Sequence, residues 1–340
     1  MSEAEAVAIV LLVGGMMYAI FGGADFGAGL WQLRPPAGEL GERVTRRIDY
    51  SLTPVWEANH VWLIFILVVL WTGFPEAFGA VMTTLYIPLA LAAVGIVLRG
   101  ANFAFRHAIT GTSLAWATRL FAISSVLTPF FMGTVVGAVA SGEVPPDGGG
   151  DPMGSWTGLL PLLIGAMFVA TGAYLAAVFL VHDARTADEG DVAAHFRRCA
   201  LGAAVAAGAL AAGGVFALRA DARFVYDGLT GPGLPLVVLS ALAGLGALVL
   251  LARGKDDRLT ALGQRPVAVG AVAMVIWGWG VAQHPYLLPP EGGSEGLTIE
   301  AAAAASGALT TILVVFGIAA ILILPAIGLL YVLSQRSLLE

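Results

Sequence analysis

The chain has 340 residues, of which 58% are hydrophobic and only 12% are charged. Soluble domains carry about one-quarter charged residues, so this balance excludes an ordinary soluble enzyme. The single cysteine, Cys199, excludes an internal disulfide framework and a thiolate metal cluster. The net charge of −6 is concentrated in a few connections and indicates no nucleic-acid-binding surface.

Apolar runs close to the ~20 residues that cross a bilayer recur along the whole chain. They are continuously apolar rather than alternating, which favours helices over a membrane β-barrel. We therefore predict an all-α, polytopic membrane protein that forms a single membrane domain over residues 1–340. The nine predicted spans are Ala6–Leu30, Val55–Trp71, Phe78–Leu98, Ala117–Val139, Trp156–Val181, Cys199–Leu218, Gly233–Leu251, Pro266–Ala282 and Gly307–Leu333.

The distribution of basic residues predicts the orientation, because connections rich in Lys and Arg stay in the cytoplasm. Of the 17 Lys and Arg residues, all but Arg219 and Arg223 are assigned to alternate connections or to the C-terminal tail. Arg99 is counted among them, in the connection after the third span. This pattern predicts an external amino terminus, an odd number of spans and a cytoplasmic carboxyl terminus.

Asp25 lies in the run FGGADFGAGLWQL, within the last third of the first span. Ionisable side chains at membrane depth are costly and usually functional. The helix macrodipole disfavours an anion near a helix carboxyl end, which suits this carboxyl group to receiving and passing protons. The alternative is a tight helix crossing at which Asp25 only bonds a neighbouring helix.

Four glycines surround Asp25, and two of them have the small-residue spacing that lets helix backbones approach each other in membranes. We predict helix packing at these positions, which are Gly22, Gly23, Gly27 and Gly29.

Glu57 begins the second span in the run TPVWEANHVWLI, and His60 follows three residues later on the same helix face. Both lie at the predicted cytoplasmic end of their span, as Asp25 does, so a proton path from the cytoplasm is predicted. The alternatives are that Glu57 caps the helix and that His60 is hydrogen-bonded between helices. Trp56 and Trp62 are interpreted as packing residues and interface anchors.

Haem ligation by this chain is not predicted. Axial ligands are usually His or Met side chains inside spans, and of the five histidines only His60 falls within one. The sequence also contains no Gly-rich phosphate loop, metal-binding His pair or nucleophile triad. We predict no catalytic residue and no metal site in this chain.

These motifs together resemble subunit II of the cytochrome bd quinol oxidases. The resemblance rests on several segments that occur in the same order along the chain as in the family. Between about Thr110 and Gly263 only the hydropathy matches. The segments are GGADFGAGL, RRIDYSLTPVWEANHVWLIF, FPEAFGAVMTTLYIPLALAAVGIVLRGANFAFR, and QHPYLLPP followed by LTIEAAAAASGALT.

The resemblance implies a role for individual residues. Glu57 matches an acidic residue assigned to a proton path, and Asp25 matches the second aspartate of the family's first-span motif. Gly22 replaces the first aspartate, which puts in doubt any proton route that needs it. Asn59 and His60 complete the predicted path.

The resemblance also implies partners and cofactors. Subunit I would carry haem b and haem d, and the complex would reduce dioxygen to water with electrons from quinol in the bacterial plasma membrane. A bound quinone, lipid contacts and a small single-span subunit are left open. Two alternatives from other classes are a secondary transporter, which predicts inverted repeats, and a purely structural membrane anchor. Co-purification of a haem-containing partner would distinguish these.

Overall fold

The structure is a computed structural model that describes residues 1–52, 56–105, 112–253, 258–290 and 295–335. It is almost entirely helical, which confirms the predicted all-α class. A short antiparallel ladder, β1 Tyr286–Leu288 with β2 Leu297–Thr298, lies before the last long helix.

The helices follow the apolar runs of the sequence, with several shorter helices between them. In chain order they are α1 Glu3–Met17, α2 Gly23–Trp31, α3 Glu39–Leu52, α4 Trp56–Gly73, α5 Pro75–Thr84, α6 Tyr86–Phe105, α7 Thr112–Ala140, α8 Gly154–Thr157, α9 Leu159–Thr186, α10 Gly190–Asp221, α11 Arg223–Thr230, α12 Leu234–Arg253, α13 Arg258–Gln283, α14 Ile299–Ala302 and α15 Ser306–Gln335.

Six helices in the described part of the chain are long and apolar enough to cross a membrane, and the bent pair of α4 and α5 is a seventh candidate. Two shorter apolar segments, Tyr86–Asn102 in α6 and Ser306–Leu322 in α15, overlap the predicted third and ninth spans. The chain is therefore a multi-pass helical membrane protein. The count of nine spans and the orientation of the termini stay predictions.

The predicted third span, Phe78–Leu98, is wrong at its start. The chain bends by 118° between α4 and α5, and α5 ends at Thr84, so two helices share this apolar run. Pro75 begins α5, and its ring leaves no amide hydrogen to continue the hydrogen-bond ladder of α4. The preceding residue, Phe74, accordingly leaves the helical region, with φ −138°.

The predicted connection between the first two spans contains an amphipathic helix, α3. Its apolar side buries Val44 completely. Its polar side forms ion pairs with the start of α10 and the residue before it, from Arg43 to Asp191 at 2.7 Å and from Arg47 to Glu189 at 2.8 Å. These contacts fix the segment that leads into α4.

Helix α9 lies at the centre of the bundle and packs against α2, α7 and α10. Its contact with α2 is made through glycine backbones: a Cβ atom at Gly27 would overlap the backbone of Gly172. The indole nitrogen of Trp31 donates to the carbonyl oxygen of Ala173 at 3.0 Å, next to this crossing. The close approach holds α2, which carries Asp25, at a defined height along α9.

Polar contacts at the predicted external rim tie the first helix to the last. Glu3 accepts hydrogen bonds from Ser306 at 2.6 Å and Thr310 at 3.0 Å, both in the first turns of α15. Glu5 lies 3.5 Å from His284, which follows α13. Helix α1 is thus held at its amino-terminal end by two other helices.

The loop between α7 and α8 is turn-rich, as its Gly- and Pro-rich sequence predicts. The exposed Asp151 side chain accepts hydrogen bonds from the backbone amides of Met153 at 2.8 Å and Gly154 at 2.6 Å. These bonds hold the pKa of Asp151 below its ordinary value of 3.8. Ionised Asp151 therefore stabilises the turn that begins α8.

We expect this turn to lose stability only in acid. Because the folded pKa of Asp151 is lowered, its contribution is complete above pH 3.8 and is lost as the pH falls through the folded value. Hydrogen exchange of the Met153 and Gly154 amides, corrected for intrinsic rates, measures the effect. Asp151→Asn should abolish the pH dependence of the protection, and an equal dependence in that variant would contradict the assignment.

We also expect Gly27→Ala to destabilise the protein, because the added methyl group forces α2 away from α9 at a cost of about 1–3 kcal/mol. Gly15→Ala is a matched control, since its Cβ atom meets nothing within 4 Å and alanine is the better helix former. The thermal midpoint of the purified protein should fall for the first variant only. Equal midpoints would show that the crossing tolerates a side chain.

Candidate functional site

An ion pair between two buried side chains lies in the interior of the helical bundle. Asp25, in the first turn of α2, is 2% exposed, and Arg99, on α6, is fully buried. The Nη2 atom of Arg99 donates to Oδ1 of Asp25 at 2.7 Å and to its backbone carbonyl oxygen at 2.8 Å. The pair joins α2 to α6 without contact with solvent.

Side chains from two helices enclose the Arg99 guanidinium. Its Nη1 atom donates to the hydroxyl of Ser125 on α7, and that hydroxyl donates to the carbonyl oxygen of Phe121 at 2.7 Å. The rings of Phe26 and Phe121 lie 4.9 and 4.3 Å from the guanidinium carbon. Aromatic faces attract a cation most strongly when water is excluded, so these rings stabilise the buried charge.

The assignment of Arg99 to a cytoplasmic connection is wrong. Helix α6 continues for six residues beyond it, to Phe105, and Asp25 compensates the buried charge. The sequence carries a signal that sequence analysis missed, since the apolar run goes on after Arg99 and Asp25 needs a partner. Without Arg99, the predicted orientation of the chain in the membrane depends on the other Lys and Arg residues.

The ion pair favours the second role considered for Asp25, that of bonding a neighbouring helix at a tight crossing. One carboxylate oxygen is held by Arg99, and Oδ2 has no hydrogen-bond partner within the described residues. Participation of Asp25 in proton transfer stays a prediction.

The start of α4 is attached to an irregular turn of the first span. Helices α1 and α2 are joined by a π turn, Tyr18–Gly22, a feature that is common at functional sites. Asn59 is 8% exposed, and its side-chain amide donates to the carbonyl oxygen of Phe21 at 3.3 Å. The buried amide thus fixes α4 to the π turn.

His60, the residue after Asn59, contacts the aromatic ring that covers Arg99. The half-buried His60 ring meets Phe26 edge-on, with ring centroids 5.9 Å apart, and Phe26 in turn covers Arg99. Glu57 lies in the first turn of the same helix, but its side chain is outside the described part of the chain.

The two predicted tryptophans differ in what the structure describes. Trp62 packs edge-on against Phe65, with ring centroids 6.2 Å apart. The Trp56 side chain, like that of Glu57, lies outside the described residues.

The glycines around Asp25 lie against neighbouring side chains or backbone, and two of them, Gly23 and Gly27, share Gly172 as their neighbour. A Cβ atom at Gly22 would lie 2.8 Å from the ring of Tyr18, and one at Gly23 would be 3.8 Å from Gly172. A Cβ atom at Gly29 would overlap the side chain of Ser125 and lie 2.9 Å from the Nη1 atom of Arg99. Glycine at position 29 therefore leaves room for the Ser125 hydroxyl and for the guanidinium that donates to it.

A fixed pair of opposite charges in a dry interior is suited to holding helices together rather than to binding a metal. Among the residues that the structure describes, no three His, Cys, Asp or Glu side chains are grouped to hold a metal ion. The fold and this site define a multi-pass helical membrane protein with an intramembrane ion pair.

Comparison with known proteins identifies the family. Residues 4–334 match the family described as cytochrome bd terminal oxidase subunit II. The chain belongs to this family, which confirms the resemblance seen in the sequence and favours an oxidase subunit over a secondary transporter. It also confirms the predicted multi-pass location in the bacterial plasma membrane.

Individual relatives match over shorter segments. Cytochrome bd ubiquinol oxidase subunit 2 of Bacillus subtilis is 28% identical over 128 residues, which cover 37% of this chain and 36% of the relative. Cytochrome bd-I ubiquinol oxidase subunit 2 of Escherichia coli K12 is 28% identical over 137 residues, which cover 39% and 34%. The matched segments span about a third of each relative's length.

The fold agrees over a much longer stretch. A chain in the structure of bd oxidase from Geobacillus thermodenitrificans superposes with a TM-score of 0.74 at 22% sequence identity, covering 100% of this chain and 99% of that one. At this identity the likeness concerns the fold.

We expect Arg99→Met to destabilise the protein by about 3–5 kcal/mol, because it leaves the Asp25 carboxylate buried without its cation. Replacing both residues, as in Asp25→Leu with Arg99→Met, should recover much of that loss, since an apolar pair leaves no buried charge. Thermal midpoints of the four proteins in this double-mutant cycle give the coupling energy.

Arg119→Met serves as the control for this cycle. Arg119 is an exposed arginine on α7, with its guanidinium carbon 5.5 Å from the ring centre of Trp116. Its loss should change the midpoint little. Strictly additive losses at Asp25 and Arg99 would contradict a coupled pair.

Proposed function

We propose that this chain is the accessory subunit of a cytochrome bd-type quinol oxidase, supporting a haem-bearing subunit I and providing a proton path from the cytoplasm. The partner carries haem b and haem d, and electrons from quinol reduce dioxygen to water there. This chain ligates no haem in the proposal, and its contribution is to scaffold the partner and to deliver protons.

The observation that carries the proposal is the arrangement of polar residues at the start of α4. Glu57, Asn59 and His60 lie in its first two turns. Asn59 is bonded to the π turn, and His60 contacts the aromatic ring that covers Arg99. A titratable group needs a defined position to exchange protons with its neighbours, and the contact with Phe26 gives His60 such a position.

Within this proposal the two intramembrane acids have different tasks. Glu57 receives protons at the predicted cytoplasmic end, with His60 and Asn59 beside it along the path. Asp25 is held by Arg99 and sets the positions of α2 and α6 around that path. A carboxylate that keeps one cation partner is suited to positioning, whereas proton transfer needs a group that changes its protonation state.

We expect Glu57→Gln to lower quinol-dependent oxygen consumption about 100-fold, the lower end of the range for loss of a proton-transferring group. Glu57→Asp should restore part of the rate, since it keeps a titratable carboxyl group. The measurement uses the purified complex of this chain with its haem-bearing partner, and the visible haem spectrum reports assembly.

Glu76→Gln is the matched control, because Glu76 is also an acid in the first turn of a helix but is exposed on α5. It should leave turnover unchanged. An assembled, haem-replete Glu57→Gln complex with normal turnover would disprove the proton path while leaving the family assignment intact.

A further inference from the structure

Two buried oxygen atoms of the first span have no hydrogen-bond partner within the described residues. One is Oδ2 of Asp25, and the other is the hydroxyl oxygen of Tyr18, a residue of the π turn that is 9% exposed. Buried polar groups in native proteins are almost always hydrogen-bonded, to ordered water where the protein offers no partner.

The Tyr18 side chain lies along the helix on the way to Asp25. The Tyr18 ring lies along the helix over Gly22, with its Cδ2, Cε2 and Cζ atoms 2.8, 2.8 and 3.5 Å from the position of a Cβ atom there. The side chain therefore runs from Tyr18 toward the carboxyl end of the span, and Asp25 follows Gly22 by three residues in that direction.

The absence of a side chain at Gly22 makes this arrangement possible. A Cβ atom at that position would be in steric conflict with the Tyr18 ring, so any larger residue would displace the ring from the helix. Gly22 and Tyr18 thus act as a pair, in which the glycine leaves the space that the tyrosine fills.

We propose that an internal water molecule bridges the Tyr18 hydroxyl and Oδ2 of Asp25. The water donates one hydrogen to the carboxylate oxygen and accepts the hydrogen of the tyrosine hydroxyl. A carboxylate has two oxygens that accept hydrogen bonds. Arg99 satisfies one of them, and the bound water satisfies the other.

Tyr18 is, on this proposal, a positioning residue that acts on Asp25 through the water. It keeps the second carboxylate oxygen solvated in an interior that is otherwise dry, and so it supports the ionised form that Arg99 requires. The proposal does not depend on the proton path through Glu57, and the two can fail separately.

Tyr18→Phe in the purified oxidase complex tests the proposal. If the Tyr18 hydroxyl has no partner at all, its removal should raise the stability of the protein or leave it unchanged, because an unsatisfied buried polar group is removed. If it holds the water on Asp25, its removal leaves Oδ2 unsatisfied, and we expect the thermal midpoint to fall by about 2–4 °C.

Tyr174→Phe is the matched control. Tyr174, on α9, is 6% exposed, and its hydroxyl also has no hydrogen-bond partner within the described residues. Its replacement should not lower the midpoint, and it should add independently to Asp25→Asn. Tyr18→Phe and Asp25→Asn should instead show coupling.

Infrared difference spectroscopy identifies the bridging molecule. A water stretching band that shifts in H₂¹⁸O should be present in the unchanged complex and absent in Tyr18→Phe and in Gly22→Ala, which displaces the ring. A midpoint that rises in Tyr18→Phe, or the lack of any isotope-sensitive band, would overturn the proposal. Loss of the Tyr18–Asp25 coupling after quinone extraction would also overturn it, since a quinone oxygen would then be the bridge.

Discussion

The ion pair between Asp25 and Arg99 constrains the whole centre of the bundle. A single unpaired charge in the membrane interior costs several kcal/mol, so neither side chain can lie there without the other. The pair therefore fixes α2 relative to α6, and the hydrogen bond from Arg99 to Ser125 extends the constraint to α7. Three helices meet at one guanidinium group.

The π turn adapts the first span to its neighbours. One extra residue in the turn Tyr18–Gly22 changes the angular position of α2 relative to α1. As a result, Asp25 faces Arg99 while Gly27 faces Gly172 on α9. Asn59 donates to the carbonyl oxygen of Phe21 within this turn, so α4 is bonded to the π turn itself.

Much of this architecture is predictable from the sequence, and the limits have physical causes. The apolar runs predict the helices, and the cost of a charge in lipid singles out Asp25. Arg99 was missed because a basic residue near the end of an apolar run has the same pattern as a span end. The bend before Pro75 is not predicted, because the residues on both sides of it are apolar and hydropathy is averaged over a window longer than the bend. The π turn leaves no compositional trace, and the Glu57 side chain lies outside the described residues.

The choice of charged residues at this crossing needs its own explanation, because a well-packed apolar pair would hold the helices at least as firmly. An apolar contact tolerates sliding by one turn, whereas the Asp25–Arg99 bonds and the Gly27–Gly172 contact are satisfied together at a single height. We interpret the ion pair as a device that sets this register. The same register carries Phe26 into contact with both Arg99 and His60, so the position of the predicted proton path depends on it.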